Sequence, residues 1–287
     1  MVSWPSWRIL RSFRFTLKEN PAIPEHSICV PAGENPAADD LIEALTGHFS
    51  GGIPAGDFEP QMLADLRREL ARGKLVSADM IQLWRMLGKL SARLPRPPGP
   101  AGSGRPIDLL NLACGHCEEA AILAAFFGRG GRRVRFFGMD VRDREVETAR
   151  RRYAATEAAF RRLGVPQLRG ETDSDGTGVE FVADDATKLA GYREIPREYD
   201  LIFLRHQNVW HDREIWRRIY EFALARLPEH GYLVITSYFD REHLIALDLL
   251  KTLGAEVIAS LENPRSRALD YPGKSVDRHL AALRRID

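Results

Sequence analysis

The chain has 287 residues, 44% hydrophobic and 28% charged, a balance that suits one large globular domain with or without a smaller companion and excludes wholesale disorder and fibrous repeats. Its 41 Lys and Arg face 40 Asp and Glu, so no global field favours nucleic acid or an acidic membrane as partner. Three cysteines (Cys29, Cys114, Cys117) are too few for a secreted disulfide framework, and no apolar run reaches the ~18 residues of a transmembrane segment, which makes a reducing cytoplasm the expected setting.

Residues 1–37 form an N-terminal arm and connector. Trp4, Trp7, Phe13 and Phe15 alternate with Arg8, Arg11, Arg14 and Lys18, without the uninterrupted apolar stretch of an export signal. That mix suits a membrane surface or a bound anion, and its simpler use is to pack rings on the main domain. Pro21, Pro24, Pro31 and Pro36 mark the connector. Residues 38–94 read as a helical cap over the substrate side. Leu41, Leu45 and Phe49, then Leu63, Leu66 and Leu70, then Met80, Leu83, Leu87 and Leu90 with Trp84 follow helical spacing and predict three short amphipathic helices. The Pro- and Gly-dense stretch 95–106 is the expected linker.

From residue 107 to 287, apolar runs of strand length alternate with helical stretches, the pattern of βαβ units and a parallel sheet. The strand IDLLNLA turns at Gly115 into a helix, and VRFFGMD leads to a long helix striped by Val146, Ala149, Tyr153, Phe160 and Leu163 and stopped at Gly164. After a polar insertion come the strand-like segments VEFVA, YDLIFL, YLVITS, AEVIAS and HLAAL. In open α/β sheets a ligand sits at the carboxyl edge of the strands, where a helix start offers unpaired N–H groups. Asp140 closes the second strand about 25 positions after Gly115, where a carboxylate can accept from both hydroxyls of a ribose. Asp185, ending the third, can accept from an adenine amine while the Ala186 N–H donates to the ring.

The order of strand, glycine turn, acid, Asp-Ala, YDLIF, LPEHGYLVITS and a terminal strand pair resembles the class I S-adenosylmethionine-dependent methyltransferases. CEEA and YDLIFLRHQNVWHDRE add a weaker local likeness to the chemotaxis-receptor methyltransferases, which act on protein glutamates. The resemblance implies a Rossmann-like, mostly parallel sheet with a terminal antiparallel hairpin, S-adenosyl-L-methionine as cofactor, and in-line methyl transfer to an oxygen, nitrogen or carbon nucleophile. A small-molecule acceptor is expected, with a protein acceptor as the other option. By the resemblance, Asn111, Ala113, Cys114 and Gly115 shape the methionine side, Asp140 and Val141 the ribose side, Asp184, Asp185 and Ala186 the adenine side, with Arg205 also on the cofactor. His206 is the candidate acceptor-side base. Gln207, Asn208, Trp210 and His211 are candidates for holding the acceptor. Strand alternation sends Arg205 and His206 to opposite faces, so one of the two should point towards the site.

This chain departs from the family pattern in carrying Asn111 where many members have an acid, and Ala113 and Cys117 where they have glycines. A non-catalytic scaffold that keeps the fold is therefore a second reading. Cys114-Gly115-His116-Cys117 also matches the CGHC of thiol-disulfide oxidoreductases, but the cis-proline strand that fold needs is missing, because Val165-Pro166 runs into hydrophilic chain. Zinc at Cys114, His116 and Cys117 lacks a fourth ligand, and the calcium-loop-like run from Glu171 has Val182 where the bidentate Glu belongs. No metal is expected.

Overall fold

The computed structural model describes residues 36–99, 105–166, 178–185 and 196–286. The basic aromatic arm, the polar insertion 167–177 and Ala186 lie outside the described residues. The three apolar stripes of the N-terminal region form α1 (Pro36–Phe49), α2 (Pro60–Ala71) and α3 (Ala78–Ser91). Pro60 opens α2, where its missing N–H costs nothing, and the Ser77 side chain accepts from Met80 N to cap α3.

The remaining elements alternate as the patterning requires: β1 (Ile107–Leu112), α4 (Ala120–Phe127), β2 (Val134–Asp140), α5 (Asp143–Arg162), β3 (Gly178–Ala183), β4 (Leu201–Leu204), α6 (Arg213–Ala225), β5 (Tyr232–Ser237), α7 (Asp240–Thr252), β6 (Ala255–Glu262) and β7 (His279–Arg285). They build one seven-stranded sheet in the order β3-β2-β1-β4-β5-β7-β6, in which β7 runs antiparallel to both its neighbours. Side-chain alternation divides the sheet into two apolar faces. Leu109, Phe136, Phe203 and Val234 point to one, and Leu110, Phe137, Ile202 and Ile235 to the other.

Helix α4 explains why the N-terminal helices belong to the same core. Its sequence AAILAAFF is apolar all round and buried at every position, so it cannot face water on its outer side. Helices α1 and α3 pack against it there, with Trp84 edge-on to Phe126 at 5.0 Å between ring centres. Phe49 of α1 meets Phe160 of α5 at 4.8 Å. Helices α6 and α7 cover the opposite face.

The amino end of the sheet is closed by ion pairs. Arg105 reaches Asp200 at 2.7 and 2.9 Å, and Arg135 reaches Asp108 at 2.6 and 2.7 Å, both carboxylates being buried. The carboxyl edge, where chain crossings open a crevice, is left for the polar residues described next.

Candidate functional site

Between β1 and α4 the chain makes a turn in which alternate residues take left-handed backbone: Ala113 at φ 54°, Gly115 at 54° and Cys117 at 45°. Two of the three carry a Cβ, which costs about 1 kcal/mol at such a position. The surroundings impose the shape. Cys114 N donates to Met139 O at 2.8 Å, tying the turn to β2, and Cys117 N donates back to Cys114 O at 2.9 Å. The glycine-like conformation thus persists at positions where this chain lacks glycine. Ala113→Gly is expected to raise stability by about 0.5 kcal/mol, the relieved strain exceeding the added chain entropy. The check is a higher urea midpoint at unchanged slope; a lower midpoint would mean that the Ala113 methyl contributes more through packing than its backbone costs.

Asp140 ends β2 buried beneath this turn. Its Oδ2 accepts from Gly115 N at 2.9 Å and its Oδ1 from Arg142 N at 3.0 Å. The Arg142 guanidinium also reaches Oδ1 at 3.0 Å, although that side chain is 61% exposed. The hydrogen bond to Asp140, partly offset by burial, raises Arg142 above the ordinary guanidinium range. Val141 beside it projects into solvent. At the end of β3, Asp184 N continues the ladder to Asp140 O at 3.0 Å, and Asp184 Oδ1 accepts from Asp185 N at 2.6 Å. Asp140, Val141, Asp184 and Asp185 therefore lie along one strand edge beside the turn.

A second set of groups converges beside them in a buried chain of ion pairs. Asn111 Nδ2 donates to Cys117 Sγ at 3.0 Å and to Glu119 Oε1 at 2.6 Å, while its Oδ1 is buried without a partner among the described residues. Glu119 Oε2 accepts from Arg205 at 3.0 Å. Arg205 in turn grips Asp277 with two N–H groups at 2.7 and 3.0 Å. His206 Nε2 stands 2.8 Å from the same carboxylate, and its ring stacks on Tyr238 at 3.9 Å. Lys274 Nζ lies 4.4 Å from the centre of the Tyr238 ring.

Burial sets the electrostatics of this chain, and the pairing then corrects it. Burial pushes Asp277 up, but Arg205 and His206 outweigh it and hold the carboxyl well below the usual range. Burial pulls Arg205 down, and Asp277 and Glu119 more than restore its proton. For His206 burial prevails over the pull of Asp277, leaving the imidazole below its ordinary value.

Several placements differ from the sequence expectation. Arg205 and His206 do not part to opposite faces: β4 ends at Leu204, and His206 takes left-handed backbone at φ 58°, so both side chains meet Asp277. Arg205, expected on the cofactor, pairs with two carboxylates, Glu119 and Asp277. Gln207 is fully buried, its Nε2 donating to Leu204 O and Thr236 O at 2.8 and 3.0 Å and its Oε1 accepting from Tyr220 at 2.6 Å. It fastens β4 to β5. Asn208 and His211 are exposed, and Trp210, 41% exposed, sets its edge against Phe239 at 5.1 Å.

Cys114 and Cys117 are both buried and free. Burial drives the Cys117 thiol well above its ordinary value, which keeps it protonated and a poor nucleophile. No cluster of His, Cys, Asp or Glu suited to a metal ion occurs among the described residues. Nor is any described helix long and apolar enough to cross a membrane.

Glu119, Arg142, Tyr238 and Asp277 were missed by sequence reasoning. Asp277 meets Arg205 across 72 positions, a pairing no local spacing announces. Glu119 sits next to Glu118 with nothing in the pattern to separate them, although the buried helix that follows requires its carboxylate to find a cation.

No protein-family model and no curated protein matches the chain. Among solved structures it is similar to an S-adenosylmethionine-dependent methyltransferase from Clostridium acetobutylicum ATCC 824, at 11% identity over 79% of this chain and 99% of that one, TM-score 0.46. It is also similar to the N-methyltransferase NodS from Bradyrhizobium japonicum WM9, at 15% identity over 73% and 97%, TM-score 0.44. A third is the magnesium protoporphyrin IX methyltransferase from Synechocystis PCC 6803, at 13% identity over 76% and 86%, TM-score 0.42. The strand order and the antiparallel insertion of β7 between β5 and β6 make the fold Rossmann-like, a mostly parallel sheet with a terminal antiparallel hairpin.

Proposed function

We propose that the chain binds S-adenosylmethionine along the carboxyl edge of β1–β3 and directs its methyl group to a small-molecule acceptor near the ends of β4 and β5. The observation that carries this reading is the Asp140 carboxylate, buried at the end of β2 and facing a turn whose alternate residues hold glycine-like backbone. The residues present fit such a ligand. A Cβ placed on Gly115 would come no closer than 3.9 Å to any neighbour, the Arg142 guanidinium, so the space above the turn is open apart from a mobile-length side chain at the surface. The unpartnered Oδ1 of Asn111 adds a buried acceptor beside the turn.

When bound, the cofactor supplies an electrophilic methyl group and a neutral thioether leaving group. The chain's own residues bind and orient. Asp140 accepts from the ribose hydroxyls, Asp184 and Asp185 edge the base, and the turn admits the methionine portion. On the acceptor side His206 is the nearest proton-accepting group. Beyond it Trp210, Phe239 and Tyr271 form an aromatic rim, Phe239 to Tyr271 being 5.7 Å, with Tyr271 65% exposed. Such a rim suits a small organic acceptor with flat apolar parts.

The test is calorimetry with S-adenosylmethionine and its demethylated product. Asp140→Ala is expected to weaken binding ten- to a hundredfold, about 1.4 to 2.8 kcal/mol. Arg142→Ala should tighten it a few fold, about 0.5 kcal/mol, by freeing Asp140 from a competitor. Unchanged affinity in a folded Asp140→Ala protein would remove the ribose site. The second reading, a scaffold that binds no cofactor, is favoured by one feature, the Arg142 guanidinium occupying Asp140. It gains the argument if neither the wild type nor Arg142→Ala binds either ligand.

A further inference from the structure

The connection between β6 and β7 folds back on itself beside the end of β5. Ala268 and Ser275 pair as an antiparallel bridge. Lys274 N donates to Tyr271 O at 3.0 Å, Leu269 N to Lys274 O at 2.9 Å, and Ser275 N fastens the segment to Tyr238 O at 3.1 Å. A cavity of about 470 Å³ opens in this connection, within the size range of small-molecule sites. Leu269 and Tyr271 stand in its wall, and Asp270, Lys274, Ser275 and Arg278 are among its polar residues. Two of these are left without a pairing group among the described residues. Ser275 is 6% exposed, and its hydroxyl is buried with no hydrogen-bond partner there, a cost that a ligand atom would remove. The half-buried Lys274 ammonium meets the Tyr238 ring, 4.4 Å from its centre, and no described carboxylate forms an ion pair with it. Arg278, by contrast, is paired with Asp240 at 3.0 Å and with Glu262 at 3.7 Å. Asp270 is exposed and lies near Arg267, which draws on its charge.

We propose that this cavity is a binding site for an aromatic monocarboxylate and serves as the acceptor subsite, the ligand's carboxylate accepting from the Lys274 ammonium and the Ser275 hydroxyl while its ring lies along Tyr271 and Phe239. This rests on the methyltransferase reading and names its acceptor class. The aromatic surroundings join the cavity to the acceptor side. Tyr271 meets Phe239 at 5.7 Å, Phe239 meets Trp210 at 5.1 Å, and the Tyr238 ring that Lys274 touches stacks on His206 at 3.9 Å. An ammonium and a hydroxyl match a single negative charge, whereas a phosphate dianion calls for more donors. The exposed Asp270 opposes an anion only weakly, because water screens it. The carboxylate is the anchoring group, and a different nucleophilic atom of the same molecule receives the methyl.

The experiment titrates the isotope-labelled full chain with benzoate and with benzamide, its neutral counterpart, and follows the backbone amide signals. Benzoate is expected to shift the signals of Tyr271, Lys274 and Ser275 and to bind about fivefold or more tightly than benzamide, since a charge-assisted contact is about twice as strong as a neutral one. Lys274→Met should abolish that preference while leaving benzamide binding unchanged. Ser275→Ala should weaken benzoate by about three- to tenfold. Equal affinity for the two probes in the wild type, shifts that spare the connection between β6 and β7, or an undiminished preference in folded Lys274→Met overturns the site. Tighter binding of phenyl phosphate than of benzoate overturns the carboxylate assignment. The wild-type comparison decides even if neither variant folds. Calorimetry with S-adenosylmethionine runs alongside. Cofactor binding without the benzoate shifts overturns the subsite alone, whereas benzoate at these residues without cofactor binding overturns the methyltransferase reading and the acceptor role with it, and upholds the carboxylate site.

Discussion

Arg205→Met is expected to destabilise the protein by about 3–5 kcal/mol at neutral pH, a large part of the stability of an ordinary domain. Methionine fills most of the space of the aliphatic stem, so cavity formation is a minor contribution. The loss comes from the partners left behind. Glu119 and Asp277 have side chains only 3% exposed, and without the guanidinium each is a buried charge facing no cation. The pH dependence has a definite sign. Asp277 is depressed in the folded protein, so the stability it contributes is present above the ordinary carboxylate range, near pH 4, and is lost as pH falls towards the folded value. In the variant the buried carboxylate instead takes up a proton readily. The gap between wild type and variant should therefore be widest near pH 7 and narrow towards pH 4. Urea unfolding at both pH values checks this. Equal stabilities at pH 7 would show that the buried ion-pair chain contributes little to the fold. Making Glu119 and Asp277 apolar as well should recover much of the loss, because the desolvation cost leaves with the charges.

What was legible before the structure follows how far each signal reaches along the chain. The helices α1–α3 and α5 announce themselves in stripes three and four apart, because burial of one face is a local constraint. The strand-end acid Asp140 is legible for a similar reason: strand, turn, helix and strand form one βαβ unit, and a short spacing marks its carboxyl edge. Departures at Ala113 and Cys117 hid the fact that the turn keeps its left-handed backbone, since residue type and backbone state agree only when nothing else imposes the shape. Gln207 was expected to hold an acceptor because it follows a strand at the carboxyl edge of the sheet, and only the packed structure shows its amide bonded to β4, β5 and Tyr220. The chain from Glu119 through Arg205 to Asp277 was invisible because β7, from the far end of the sequence, inserts between β5 and the edge strand β6. That entry places the loop before β7 against the end of β4, and only the completed topology brings the carboxylate to His206.

His206→Ala should leave cofactor affinity nearly unchanged and lower turnover by ~10² to 10⁴, the usual yield of general-base catalysis. The side chain lies at the carboxyl edge of the sheet beyond β4, away from Asp140 and the strand ends of β2 and β3, so its removal spares the groups that would hold the nucleoside. Its backbone N–H donates to Thr236 Oγ1 at 3.2 Å, a contact the substitution keeps. What is lost is the basic ring with its contacts to Asp277 and its stack on Tyr238, which makes the expected stability change smaller than that of Arg205→Met, about 1–2 kcal/mol. Asp277 retains both Arg205 contacts, so no charge is stranded. His206→Gln serves as the companion variant: it keeps a hydrogen-bonding group near Asp277 but offers no basic nitrogen, and it should show the same loss of turnover with better-preserved stability. The assay measures kcat and KM for an acceptor found by screening phenols, alcohols and amines, alongside cofactor affinity by calorimetry. Wild-type turnover in either folded variant would remove His206 from the chemistry and leave the imidazole as a packing group on Tyr238.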